Sequence, residues 1–221
     1  MQGKNYKHQI LLMILIFTAV CLPVTLKEIF DAAGPEGEYD KVLNLEKGKI
    51  YTGGLSLGYC YNPITFQFDS LADESVKING NGAIIDLKNS HIHIAYTDKI
   101  LDIDSCVIAN GTVRYTGKPD AAGYIIPHGS ISNVTFYKPV DFGIRMEGSG
   151  ENMHIYKNLV SECITTGGDF PQYDSFPAEM LRTGTSFAFS AFSWYGFPGI
   201  FENWSYNSSF PGEPLANFSM L

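Results

Sequence analysis

The feature that most constrains this 221-residue chain is an asparagine that returns about every 25 residues. Asn81 opens Asn-Gly-Ala-Ile, Asn110 opens Asn-Gly-Thr-Val, Asn133 opens Asn-Val-Thr-Phe and Asn158 opens Asn-Leu-Val-Ser, at spacings of 29, 23 and 25 residues. A short β-prone run precedes each one: Val76-Lys77-Ile78, Cys106-Val107-Ile108, Ser130-Ile131-Ser132 and Met153-His154-Ile155-Tyr156. Another follows each, at residues 83–87, 112–116, 135–138 and 159–164. Further runs at 100–104, 124–127 and 143–147 precede the second, third and fourth units. Each unit reads as three short strands parted by tight bends. Asn suits such bends because it tolerates the left-handed conformation and bonds nearby backbone. Stacked turn asparagines can also bond one another from unit to unit.

Strands this short cannot bury their inward side chains alone. Stacking one unit on the next gives every strand a parallel neighbour and closes a continuous core. The four asparagine steps and their flanking apolar alternation resemble the right-handed parallel β-helix family, the pectate-lyase-like superfold. The resemblance covers residues 76–165, and Phe201-Glu202-Asn203-Trp204-Ser205-Tyr206 repeats the step later. The expected fold class is all-β, a right-handed parallel β-helix or solenoid. The rival is an antiparallel sandwich, which also shows short strands with turn signals. Scarce hairpin dipeptides and the recurrent place of Asn favour the parallel stack.

The expected organisation has three parts. Residues 1–23 carry Lys4 and Lys7 before an apolar run at 10–22 that Pro23 closes, the pattern of a secretory signal peptide. That run spans roughly 20 Å as a helix, short of a ~30 Å hydrocarbon core, so no membrane span is expected. Thr18-Ala19-Val20-Cys21 faintly resembles a lipobox that would lipidate Cys21. Residues 24–35 would form a short cap, with a helix over 24–33 covering the open end of the stack. Residues 36–221 would form the β-helix, with strands at 39–45 and 49–57 around Glu46-Lys47-Gly48. A Gly-, Pro- and Asp-rich loop would leave the stack near 168–200, and 185–194 would be strand within it or a coil strand. Residues 216–221 look like a further coil beginning, which reads as the truncated end of a longer protein. The alternative is that the loop folds back over that end.

Composition limits the function. Asp plus Glu is 23 against 15 Lys plus Arg, a formal net charge of −8, so no basic stripe for nucleic acid is expected. Cys21, Cys60, Cys106 and Cys163 stand about fifty residues apart or less, with no Cys-x-x-Cys pair. Zinc is unsupported, and the mature cysteines read as small buried residues. Asn-x-Ser/Thr sequons at Asn110, Asn133, Asn203, Asn207 and Asn217 could carry glycans, although turn chemistry explains three of them.

Candidate chemistry comes from side chains that alternate outward with core residues. Leu101 and Ile103 would point in and Asp102 and Asp104 out; Ile144 and Met146 in and Arg145 and Glu147 out. If these segments stack with His128 between them, Asp102, Asp104, His128, Arg145 and Glu147 form one acidic groove with a single cation. Its carboxylates could take Ca²⁺, and Arg145 could hold a sugar carboxylate or help remove a proton. Ordinary solvated side chains are the alternative. His91 and His93 share a face, but spacing nominates no third ligand for a metal. Arg114 should point outward between Val113 and Tyr115. Trp194, Tyr195, Trp204 and Tyr206 concentrate aromatic surface on which sugars stack.

The family resemblance implies polysaccharide chemistry: lyases, hydrolases and epimerases acting on uronic-acid polymers. The chain lacks the Trp-x-Asp-His and Arg-x-Pro-x-x-Arg segments of pectate lyases and the paired aspartates of polygalacturonases. The expectation is an exported β-helix protein, secreted or at the cell surface, that binds or processes polysaccharide. If it is an enzyme, it is a polysaccharide lyase or glycoside hydrolase. The alternative is a non-catalytic surface solenoid, an adhesin or scaffold that meets cell-surface glycan, or the N-terminal fragment of a larger cell-surface protein.

Overall fold

The computed structural model describes residues 23–120, 123–125, 127–139, 143–149, 153–161, 189–195, 199–201 and 204–206. Strand β1 (Val24–Thr25) leads into helix α1 (Leu26–Ala32). Thr25 and Glu28 close a reciprocal capping box at its start, so two orphan N–H groups are satisfied by neighbouring side chains. The helix buries Leu26 and Phe30 in the core.

The chain then lays down β2 (Lys41–Asn44), β3 (Ile50–Thr52) and β4 (Leu55–Asn62) in three different sheets. After β5 (Gln67–Ser70), which folds back antiparallel on β4, the cycle repeats. It runs through β6 (Val76–Asn79), β7 (Ile84–Asp86) and β8 (His91–Ala95), then β9 (Leu101–Asp104), β10 (Val107–Ala109) and β11 (Thr112–Thr116). A small antiparallel hairpin of β12 (Lys118–Asp120) and β13 (Gly123–Ile125) intervenes. There follow β14 (Gly129–Ser132), β15 (Thr135–Tyr137) and β16 (Ile144–Ser149), then β17 (Met153–Tyr156), β18 (Leu159–Ser161) and β19 (Phe189–Tyr195). Strands β20 (Gly199–Phe201) and β21 (Trp204–Tyr206) come last.

The first sheet has the order β2-β6-β9-β14-β17-β20. The second is β1-β3-β7-β10-β15-β18-β21, and the third is β5-β4-β8-β11-β16-β19. Apart from β4 with β5, neighbours in these sheets run parallel. The architecture is all-β with three parallel-rich sheets, and successive strands visit those sheets in one recurring order.

Alternation explains the core. Val76 and Ile78, Leu101 and Ile103, Ile92 and Ile94, and Val113 and Tyr115 are buried, while the residues between them are half-buried. Each such side chain removed from water contributes about 1.5–3 kcal/mol. Buried Tyr115 keeps its hydroxyl satisfied by donating to Leu101 O at 2.8 Å.

The four asparagines do not share one place in the repeat. Between the first and second sheets the left-handed residue is Asn81, Ser105, Asn133 or Lys157, with φ of 51°, 56°, 54° and 57°. Asn110 (φ 53°) instead turns the chain from the second sheet to the third, as Gly53 (φ 83°) does between β3 and β4 and Lys88 and Asn89 (φ 52° and 63°) do between β7 and β8. Beside it, Gly111 must lack a side chain, because a Cβ would sit 2.4 Å from Ser90 O. Asn158 is not a bend residue. It is fully buried, donates to Ile131 O and accepts from Val134 N, both at 2.9 Å. The spacing stays near 25 because Asn110 lies just past Ser105, the residue at the place of Asn81, which lengthens the step from Asn81 and shortens the step to Asn133.

Other expectations need correcting. The single strand expected at 49–57 is split into β3 and β4 by Gly53 and Gly54. Of the run expected as a stacked strand at 124–127, Tyr124 and Ile125 belong instead to the β12–β13 hairpin. Two hairpins occur where hairpin dipeptides were scarce. By contrast, residues 189–195 pair with β16, in line with the coil-strand alternative given for 185–194, and β20 and β21 pair with β17 and β18, in line with the repeated step at 201–206. Cys106 is buried as expected, and burial pushes its thiol up to about 12. Cys60 is exposed. Residues 1–22 with Cys21, Cys163, the sequons at Asn203, Asn207 and Asn217, and the chain end all lie outside the described residues, as do the side chains of Glu147, Met146, Trp194, Tyr195, Trp204 and Tyr206.

Candidate functional site

The five nominated residues do not form one groove. Asp102 and Asp104 lie on β9 in the first sheet, and His128 sits at the start of β14, bridged to Ile100. Arg145 and Glu147 lie on β16 in the third sheet. The segment equivalent to 143–147 is 112–116, since Arg145 pairs with Arg114 and Glu147 with Thr116. Short alternating strands look alike in sequence, and the unforeseen β12–β13 hairpin shifted the count. The similarity of Thr-Val-Arg-Tyr at 112–115 to Gly-Ile-Arg-Met at 143–146 was the signal that could have paired them.

On the first sheet the carboxylates are hydrogen-bond acceptors between coils. Asp104 accepts from the hydroxyls of Ser105 and Ser132, both at 2.6 Å, and from Asn133 Nδ2 at 2.8 Å. Burial opposes ionisation of Asp104, but these bonds and nearby Lys77 outweigh it and hold the carboxyl below its ordinary value. Asp102 accepts from Ser130 N at 2.6 Å, from Ser130 Oγ at 3.1 Å and from the hydroxyl of Tyr39. Tyr39 comes from the segment before β2 and reaches over the sheet to do so. Burial, and then the bond to Asp102, raise its phenol above the ordinary value. Neither Tyr39 nor Ser130 was foreseen. Asp86, on the second sheet, plays the same part toward Asn110 at 2.9 Å.

On the third sheet basic side chains accumulate. Ser56, His93, Arg114 and Arg145 occupy successive strands in register, one rung of about 4.8 Å after another. All of His91, His93, Arg114 and Arg145 are half-buried. The His91 and His93 rings meet edge to face with centroids 5.5 Å apart, as their alternate spacing required. Burial first, then the charge of Arg114 and the neighbouring His91, lower His93 to about 4. Burial and Arg114 lower His91 as well. His93 Nε2 lies 2.9 Å from Thr116 Oγ1. At neutral pH the row therefore offers two guanidinium groups and the neutral imidazole of His93, with His91 beside it on the same strand. Planar guanidinium groups bind carboxylate or sulfate bidentately.

The stack thus has a face whose acids are already engaged and a face whose bases stand together. Among the described residues no three His, Cys, Asp or Glu side chains are gathered as a metal site requires. Asp102 and Asp104 offer calcium only oxygens that already accept hydrogen bonds. No helix among the described residues is long and apolar enough to cross a membrane. No family model, curated protein or solved structure matches this chain.

Proposed function

We propose that the chain is an exported right-handed parallel β-helix whose third sheet binds an acidic polysaccharide. The helical reading is supported by strands that visit the three sheets in recurring order with in-register parallel pairing. Export is supported by the charged and then apolar pattern of residues 1–23. The observation that carries the ligand class is the in-register placement of Arg114 and Arg145, with His93 on the other side of Arg114. Like charges on adjacent strands repel. A bound polyanion relieves that repulsion, and its repeating charges suit a repeating ladder. The net charge of −8 makes such a row unusual on this protein and disfavours polyanions everywhere else on it.

Binding is favoured over cleavage. A carboxylate pair for acid–base work must be available to substrate, whereas Asp102 and Asp104 serve the joints between coils. A non-catalytic surface module is therefore the preferred form of this reading, and a lyase or hydrolase is the second. The test is binding of polygalacturonate, with neutral glucan as control, to wild type and to Arg114→Gln/Arg145→Gln. Wild type should bind the acidic polymer alone, in a salt-sensitive way, and the variant should lose at least tenfold in affinity. Equal binding by both proteins overturns the assignment. Release of unsaturated or reducing sugar ends by wild type would restore the catalytic reading.

A further inference from the structure

The β4–β5 hairpin carries an apolar tip that the fold does not use. Seven large apolar side chains are exposed among the described residues, and six belong to the first coil and its hairpin: Val24, Ile50, Ile64, Phe66, Phe68 and Leu71. At the tip itself Ile64 is 86% exposed and Phe66 76%. Phe66 also has a φ of 57°, a conformation that bulky residues avoid and that Gly or Asn would adopt without strain. Stability alone favours a different residue there, both for solubility and for backbone energy. Strain retained at an exposed aromatic points to a use for that side chain.

The tip is built for an apolar medium. Asn62 Oδ1 accepts from Ile64 N at 3.0 Å and Thr65 N at 3.3 Å, and Asn62 O accepts from Phe66 N at 2.9 Å. Pro63 has no N–H to satisfy. The turn therefore meets its backbone donors internally, which lowers the cost of placing it at the lipid interface, where its carbonyls still meet water. Its root is held firmly: Asn62 Nδ2 donates to Asp69 Oδ2 at 2.9 Å, and Phe68 packs edge-on to Tyr96 at 4.9 Å. Ile64 and Phe66 are almost wholly exposed, which suits a fluid apolar phase that can surround both side chains. Residues 55–72 contain no Lys or Arg and one acid, Asp69, so nothing there attracts anionic headgroups.

We propose that the β4–β5 hairpin inserts Ile64 and Phe66 into the interface of an electrically neutral lipid surface, so that the first coil faces the membrane. The test uses the full chain carrying Phe66→Trp, with the wild-type spectrum subtracted to remove Trp194 and Trp204. Phosphatidylcholine vesicles should shift the added emission to the blue, brominated acyl chains should quench it, and salt should change neither. Emission that stays solvent-like and unquenched with vesicles overturns the proposal, even if the chain is held to the vesicle by its N-terminal run. A blue shift without vesicles that grows with protein concentration also overturns it, in favour of a second copy as the occupant. A shift with polygalacturonate but not vesicles overturns it in favour of glycan. Ile64→Trp repeats the measurement independently if Phe66→Trp fails to give a native circular dichroism spectrum. The outcome is separate from polysaccharide binding, since Arg114 and Arg145 lie outside the hairpin.

Discussion

The first and third sheets are built from the same alternating strands yet treat their outward charges in opposite ways. Along the first sheet each carboxylate is matched to donors from the next coil: Asp102 to Ser130, and Asp104 to Ser132 and Asn133. Along the third sheet the outward row sets Arg114 against Arg145 and beside His93. The first arrangement contributes to stability. The second sets like charges in register on neighbouring strands.

The largest separation of the two faces should come from Asp104→Ala. It strips the acceptor from three donors, and urea unfolding should show a loss of about 2–3 kcal/mol. Arg145→Gln should move stability by less than about 1 kcal/mol, because the side chain is only half-buried. Equal losses for both would erase the distinction.

Next in size is the ligand effect already described. The tenfold loss expected for Arg114→Gln/Arg145→Gln corresponds to about 1.4 kcal/mol of binding. The companion experiment is Asp104→Asn, which should leave polygalacturonate affinity within about twofold while lowering Tm. Loss of binding in that variant would move the site to the first sheet.

The two faces should also fail in different pH ranges. His93 has its pKa depressed from 6.5 to about 4, so the native state favours the neutral ring. Its contribution is complete above about 6.5 and disappears as pH falls toward 4, because the unfolded chain binds the proton first. Discounted for partial exposure, this amounts to roughly 1–2 kcal/mol. Asp104 is also depressed, from 3.8, so its contribution begins to fall only as pH drops below that ordinary range. Melting curves between pH 7 and 4 should therefore slope in wild type and flatten in His93→Gln, while Asp104→Asn should retain that slope.

The smallest effect is expected at Asn110. Asn110→Gly keeps the left-handed bend and loses one bond to Asp86, a change of about 0.5–1 kcal/mol by thermal melting. Asn133→Gly loses its bond to Asp104 instead and should match it. A much larger loss at either position would mean that the bends, rather than the core, set the stacking.

The sequence by itself determined which side chains of most strands face inward. Alternation placed Leu101, Ile103, Val113, Tyr115 and Ile144 inside and Asp102, Arg114 and Arg145 toward the surface, because a pleated strand has no other way to sort them. It also carried the helix before β2, through the Thr25–Glu28 box. Tertiary structure decided which strands became neighbours. A period near 25 residues does not say at which corner each asparagine stands, and a hairpin inserted between coils displaces every later segment. The pairing of Arg145 with Arg114 rather than with Asp102, the engagement of Asp104 and the inward use of Asn158 all follow from which strand lies one rung away. That neighbour is set by backbone hydrogen bonds between residues more than twenty positions apart, a distance over which local alternation carries no register.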